Sequence, residues 1–355
     1  MSLRKVANVV GLLQMLVALS IVVTGLVALG YGDGDAGGFF LSALITFTFG
    51  AVIYRTTRFE EEVTSREGFA IVTMAWATTA AFGGLPYLLT GTLDSPVSAV
   101  FESMSGFTTT GATVFSEIEA LPHGVLLWRS MTHWIGGMGI IVLVIAVLPY
   151  LGVGGMQLFR AEVPGPTHER LRPRITQTAK LLWLVYFGLT ALLAALYLLG
   201  GMGPFDAVNH SFSTMATGGF STRNASMAEM SPFIQWVTIL FMYLAGVNYA
   251  LHFRAATGRI VYFKDEEWRF FTFVLLAAAA AIVVLNLLSG VESAFEPALR
   301  DGLFQVVAIT TTTGYVSADY EVWVPGSRMV IFALFFIGGM AGSTSGGVKA
   351  LRVML

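Results

Sequence analysis

Three short stretches of this chain carry the same pattern: a threonine, one further residue, a glycine, and a variable residue. They are Thr109-Thr110-Gly111-Ala112, Thr217-Gly218-Gly219-Phe220 and Thr312-Thr313-Gly314-Tyr315, with glycines 108 and then 95 residues apart. The chemistry open to such a pattern is that of backbone oxygens. Carbonyls contributed by several strands around one axis can replace the water shell of a dehydrated potassium ion. Without such replacement, a bare cation in an apolar interior faces an idealised penalty of order 20 kcal/mol. Turning successive carbonyls the same way requires φ > 0, which glycine reaches with least strain. Gly111, Gly219 and Gly314 are assigned that position. In the second stretch Gly218 competes with Gly219, and the shared serine spacing (Ser103 and Ser105; Ser211 and Ser213) favours Gly219.

The elements that would hold these oxygens recur with them. Each pattern follows a short apolar stretch, at 97–108, 206–216 and 297–311. A helix of a dozen residues is about 18 Å long, too short for a ~30 Å hydrocarbon core. Each stretch is flanked by long apolar segments: 69–91 and 124–151, 180–201 and 233–254, 269–289 and 328–355. Two further spans, 6–29 and 38–54, open the chain around the polar turn Gly32–Asp35. The expected organisation is a leading helix pair with a cytoplasmic loop (1–68) and three repeated units (69–179, 180–268 and 269–355). Three short helices in corresponding positions read as re-entrant pore helices. Their C-termini would aim partial negative charge at the axis. Irregular backbone at membrane depth survives only where it is buried in protein or lines water.

Composition sets the class. The chain is 55% hydrophobic and 12% charged, with a mean hydropathy of +0.73, whereas soluble domains average about 25% charged residues. Runs of roughly 20 apolar residues recur, so the expected fold is an all-α polytopic membrane protein. There is no cysteine, which excludes disulfides, zinc–thiolate sites and cysteine nucleophiles. Nothing resembles a soluble catalytic domain, an organic cofactor site or a nucleic-acid surface. Residues 6–29 are too long and apolar, and lack a cleavage site, for a cleaved signal peptide; they read as a retained first helix. Sixteen of the twenty basic residues, among them Arg4, Lys5, Arg55, Arg58, Arg66, Arg254, Arg259, Lys264, Lys349 and Arg352, fall in one set of alternate segments. The positive-inside rule then places the N-terminus in the cytoplasm and opens the Thr-Gly loops outward, in a multi-pass protein of the cytoplasmic membrane.

Five runs carry a resemblance to a known family: FESMSGFTTTGAT over Phe101–Thr113, WRSMTHWIGGMG over Trp128–Gly139, ATGGFST over Ala216–Thr222, TTTTGY over Thr310–Tyr315, and GGMAGSTSGGVK over Gly338–Lys349. Together they make the chain resemble the Trk/Ktr/HKT superfamily of potassium transporters, and within it the Trk-type membrane subunit. The resemblance implies tandem pore repeats around a pseudo-fourfold ion pore, potassium bound in the filter, a homodimer, and a cytosolic nucleotide-binding regulatory ring. The family pattern has four pore units and this chain carries three, so a fourth unit is expected to complete the carbonyl ring. His133 stands where the pattern implies Gln.

Below the third filter stretch, Gly338–Gly347 holds five glycines together with Ser343, Thr344 and Ser345. A straight helix over 328–355 would be about 42 Å long, and so many glycines favour a break instead. Gly338, Gly339, Gly342, Ser343, Thr344, Ser345, Gly346 and Gly347 are expected to form a flexible gate loop, a role the resemblance also implies. As plain structure, Gly338, Gly342 and Gly346 would make a helix-packing face. Asn209 and His210 are expected to be packed and hydrogen-bonded, and Glu102 and Asp301 to anchor pore helices or draw cations to the mouth. The basic loop 160–174 would touch anionic membrane lipid or the regulatory ring. A secondary active cation transporter with broken helices is the competing class, but the repeats read as parallel and no carboxylate lies within the long helices. An intramembrane hydrolase would need a base beside Ser345, and none is evident.

Overall fold

The computed structural model describes residues 1–59, 63–139 and 174–355. Among the described residues all regular structure is helical, in two compact units, Met1–Trp183 and Leu184–Leu355.

The first unit opens with α1 (Leu3–Tyr31) and α2 (Ala36–Thr56). Their backbones meet at paired glycines: a Cβ on Gly11 would lie 2.8 Å from the Gly50 carbonyl, and one on Gly50 2.6 Å from that of Gly11. Small residues at such a crossing permit close helix packing in lipid. The outer turn is clasped to the start of α6 (His123–Gly137), where Asp33 Oδ2 accepts from both the backbone N–H and Nδ1 of His123 at 2.7 Å. The backbone bond holds the Asp33 carboxyl below the usual carboxylate range. At the opposite end α3 (Ser65–Gly83) begins in a capping box, with Thr64 N–H donating to Glu67 Oε2 at 2.9 Å. Glu67 Oε1 also accepts from Ser2 N–H at 2.7 Å, tying the chain start to α3.

The segment expected as one helix over 69–91 is broken: α3 stops at Gly83 and α4 (Leu85–Leu89) follows. Pro86 has no N–H to return to Phe82, and the Gly83 carbonyl accepts the Trp128 indole N–H at 2.9 Å. α5 (Pro96–Phe107) is the first short helix. It packs so closely on α6 that a Cβ on Gly136 would sit 1.9 Å from the Phe107 carbonyl oxygen. The expected helix over 124–151 is described only as far as α6; its remainder and the loop at 160–173 lie outside the described residues.

α7 (Arg174–Leu199) leads into the second unit, followed by the short α8 (Pro204–Met215), then α9 (Pro232–Gly246) and α10 (Tyr249–Ala256). After them come α11 (Glu266–Leu288), the short α12 (Phe295–Thr310), α13 (Pro325–Leu334) and α14 (Ala350–Met354). Proline opens α5, α8, α9 and α13 at the first helical position, where its missing N–H would be unpaired anyway. Tyr197 Oη, on α7, bonds Thr214 on α8 and Thr238 on α9, at 3.2 and 2.9 Å. The expected continuous helix 233–254 is instead α9 and α10, bent by 104°. The 328–355 stretch is helical only to Leu334, and the glycine-rich segment beyond it is non-helical, the break that its glycines favour.

Candidate ion-conduction site

Each of the three short helices ends in the same way. Thr109 N–H donates to Gly106 O, Thr217 N–H to Thr214 O and Thr312 N–H to Ile309 O, all at 3.0 Å. The next residue reaches back one step further: Thr110 N–H to Ser105 O at 2.9 Å, Gly218 N–H to Ser213 O at 2.9 Å, and Thr313 N–H to Ala308 O at 2.8 Å. This pair of bonds is the Schellman termination, which calls for a left-handed residue just beyond the helix. Glycine usually takes that position, but here threonine does, with φ of 55° at Thr109, 53° at Thr217 and 58° at Thr312. Two residues on, the chain turns left-handed again at Gly111 (75°), Gly219 (82°) and Gly314 (74°). Gly218 is not left-handed, so Gly219 holds the equivalent position. Two left-handed residues separated by one other repeatedly reorient the backbone, and the same path occurs three times.

In the second unit the two Thr-x-Gly strands touch. A Cβ on Gly219 would stand 2.0 Å from the Thr313 carbonyl oxygen. The buried Tyr315 hydroxyl lies within 3.3 Å of the carbonyls of both His210 and Phe220, so the third repeat braces the second. In the first unit Ser105 Oγ donates to the Ala112 carbonyl at 2.5 Å.

Most polar side chains of the three short helices are engaged, while Ser103 Oγ on α5 is buried without a hydrogen-bond partner among the described residues. Glu102 is fully buried; its Oε1 accepts from Arg129 Nε and from Thr113 Oγ1, each at 2.9 Å. Removing one partner of such a buried pair leaves an uncompensated charge and destabilises by about 3–5 kcal/mol. Glu102→Gln should therefore lower the thermal midpoint of the purified protein markedly. A midpoint equal to the parent's would show that Arg129 finds another counter-charge. Asn209 Nδ2 donates to Phe205 O at 2.8 Å, and His210 bonds Asp206 O and Ser221 Oγ, so both have the hydrogen-bonded packing expected of them. Asp301 is half-buried, 3.6 Å from Arg300 Nε. His133 is buried on α6.

The glycine-rich segment lies against the third Thr-x-Gly strand. Gly346 N–H donates to Thr312 Oγ1 at 2.7 Å, and Ser345 Oγ stands 3.4 Å from the same hydroxyl. The loop closes on itself through Gly338 N–H to Val348 O at 2.7 Å and Ala350 N–H to Gly339 O at 3.0 Å. It is also held by the end of α9. Met340 N–H takes Gly246 O at 2.9 Å, Thr344 N–H takes Ala245 O at 3.3 Å, and Tyr249 N–H donates to Gly342 O at 3.1 Å. Gly342 and Gly347 adopt φ of 78° and 69°, and Lys349 Nζ bonds Ser345 O. Sequence reading passed over Glu267 at the start of α11. One of its oxygens, Oε1, accepts Ala341 N–H at 2.7 Å and Leu351 N–H at 3.1 Å, gripping the loop at both ends. The only available sign was an acidic residue in the first turn of an apolar helix, which ordinary helix-dipole placement also explains.

A sequence-family model described as TrkH, cation transport protein, matches residues 37–355. The chain belongs to the TrkH family. It is 42% identical to the Trk system potassium uptake protein TrkH of Halomonas elongata, an alignment that covers all of this chain and 75% of that protein. It is 41% identical to the protein of the same name from Escherichia coli K12, again over the whole chain and 75% of the relative. Among solved structures, it matches the crystal structure of the potassium transporter TrkH from Vibrio parahaemolyticus with a TM-score of 0.88 and 38% identity, covering 100% of this chain and 74% of that one. The chain thus spans about three quarters of the length of these TrkH relatives. The membership and the fold agree with the resemblance carried by the five sequence runs.

Proposed function

We propose that this chain conducts potassium into the cell through a filter of backbone carbonyls. The reading rests above all on one observation: three short helices end in the same left-handed Thr and left-handed Gly, in a chain of the TrkH family. The filter comprises Thr109–Ala112, Thr217–Phe220 and Thr312–Tyr315. Potassium is its cargo, held by carbonyl oxygens while dehydrated, and the short helices aim their C-terminal ends at it. Gly338–Gly347 serves as the gate. Its hydrogen bond to Thr312 supports a coupling between loop movement and filter geometry. The bias of basic residues supports a cytoplasmic N-terminus and the cytoplasmic membrane as location. The homodimer and the cytosolic nucleotide-binding ring are carried over from the family resemblance, and the ring is the expected controller of the gate.

The full-length protein reconstituted in liposomes provides the test. Potassium and rubidium should enter down their gradients well ahead of sodium, with no requirement for a second driving ion. Uptake that occurs only with a coupled sodium or proton gradient would overturn the channel-like reading in favour of an active transporter, the class to which broken helices such as α9–α10 also belong.

A further inference from the structure

The three pore helices share one polar position that the filter reading leaves unused. Nine residues before the filter glycine stand Glu102, His210 and Gln305. All three are buried, and each reaches forward to the strand that leaves its own filter. Glu102 accepts Thr113 Oγ1 and Val114 N–H, both at 2.9 Å. His210 Nε2 bonds Ser221 Oγ at 3.0 Å. Gln305 Nε2 lies 3.4 Å from Ser317 Oγ and 3.2 Å from Ala318 O. The partners fall two to four residues beyond the glycine in every repeat, although the side chains differ in charge and shape. At His210 the tautomer follows from its partners: the Asp206 carbonyl at 2.8 Å can only accept, so Nδ1 donates and Nε2 receives the Ser221 proton. A second anchor works beside it, with Thr222 Oγ1 donating to Asp206 Oδ1 at 2.8 Å.

We propose that Glu102, His210 and Gln305 are positioning residues for selectivity, one tether per repeat, fixing the exit strand so that the filter carbonyls keep their spacing when an ion departs. The proposal rests on the filter reading above. A left-handed Thr and a left-handed Gly are both conformations that need surrounding structure to hold them. The Schellman bonds hold the entry side of each filter strand. Beyond the glycine, the buried side chain at this register supplies a matching hold. In the first repeat the tether is an ion-paired carboxylate locked by Arg129. In the other two it is neutral, and there it can be removed without exposing a buried charge.

The test compares potassium/sodium permeability ratios of the full-length protein in liposomes for Gln305→Leu, His210→Leu, Ser221→Ala and Gly219→Ser. Gln305→Leu and Ser221→Ala should each lower the ratio about two- to ten-fold, the effect of one lost buried hydrogen bond. The loss should show as sodium entry rather than as reduced potassium flux. Adding Ser221→Ala to His210→Leu should lower the ratio less than Ser221→Ala does alone, because the two share the His210–Ser221 bond while Ser221 Oγ also accepts Arg223 N–H at 3.0 Å. If Gln305→Leu or His210→Leu does not fold, Ser221→Ala decides alone, since it removes one hydroxyl from an exit strand and leaves the pore helices intact. Parent-like ratios in the tether variants, with a collapsed ratio in Gly219→Ser, would overturn the tether while leaving the filter in place. A parent-like ratio in Gly219→Ser as well would overturn the filter reading itself.

Discussion

Gly219→Ser should reduce the preference for potassium over sodium by at least about ten-fold, a change of 1.4 kcal/mol or more between the two ions. Two effects add. Gly219 sits at φ 82°, where a side chain costs about 1–2 kcal/mol. The new Cβ would also stand 2.0 Å from the Thr313 carbonyl oxygen, far inside contact distance, so a filter carbonyl of the neighbouring repeat must move. The damage therefore reaches two of the three described strands. Gly218→Thr is the informative contrast. Position 218 is not left-handed, and its counterparts in the other repeats are already threonine, Thr110 and Thr313. That variant should keep most of the selectivity. Reversal potentials under bi-ionic conditions separate the two, and equal ratios for Gly219→Ser and the parent would refute the assignment of this strand.

Removing Gly342–Gly347 should raise potassium flux several-fold in the absence of any regulator. Glu267→Ala should do the same to a lesser degree. The loop is held by single backbone bonds to Gly246, Ala245 and Tyr249, and by the two donors that converge on Glu267 Oε1. Each such bond contributes about 0.5–1.5 kcal/mol, so loss of the Glu267 pair shifts the loop's closed fraction several-fold. Flux of the purified full-length protein, with and without its cytosolic regulator, is the measurement. Unchanged basal flux together with an unchanged response to the regulator would leave the loop as packing only.

The three short helices were legible because their signals are chemical and periodic. Short apolar stretches with a Thr-x-Gly ending recur, and α5, α8 and α12 begin and end within two residues of the expected limits. The left-handed threonines were not legible. Local propensity assigns φ > 0 to glycine, and only the two Schellman bonds, together with the strand beyond, over-determine Thr109, Thr217 and Thr312. The break at Val247–Asn248 was equally hidden. Its sequence reads as continuous apolar helix, and the carbonyls it frees at Ala245 and Gly246 are taken by N–H groups about a hundred residues later. Glu267 escaped notice for the same reason: its partners, Ala341 and Leu351, are distant in sequence. By contrast, the break after Leu334 was foreseeable from glycine density alone.

The bend between α9 and α10 makes a bracket. α10 is eight residues long, about 12 Å, and its His252 is tied on both sides, Nε2 to the Leu244 carbonyl of α9 and Nδ1 to Tyr262 Oη, each at 2.8 Å. Its first residue, Tyr249, donates its N–H to Gly342 O. A load applied near Ala256 therefore meets α9 and Tyr262 before it meets the glycine-rich loop, and it reaches Gly342 only by shifting those bonds.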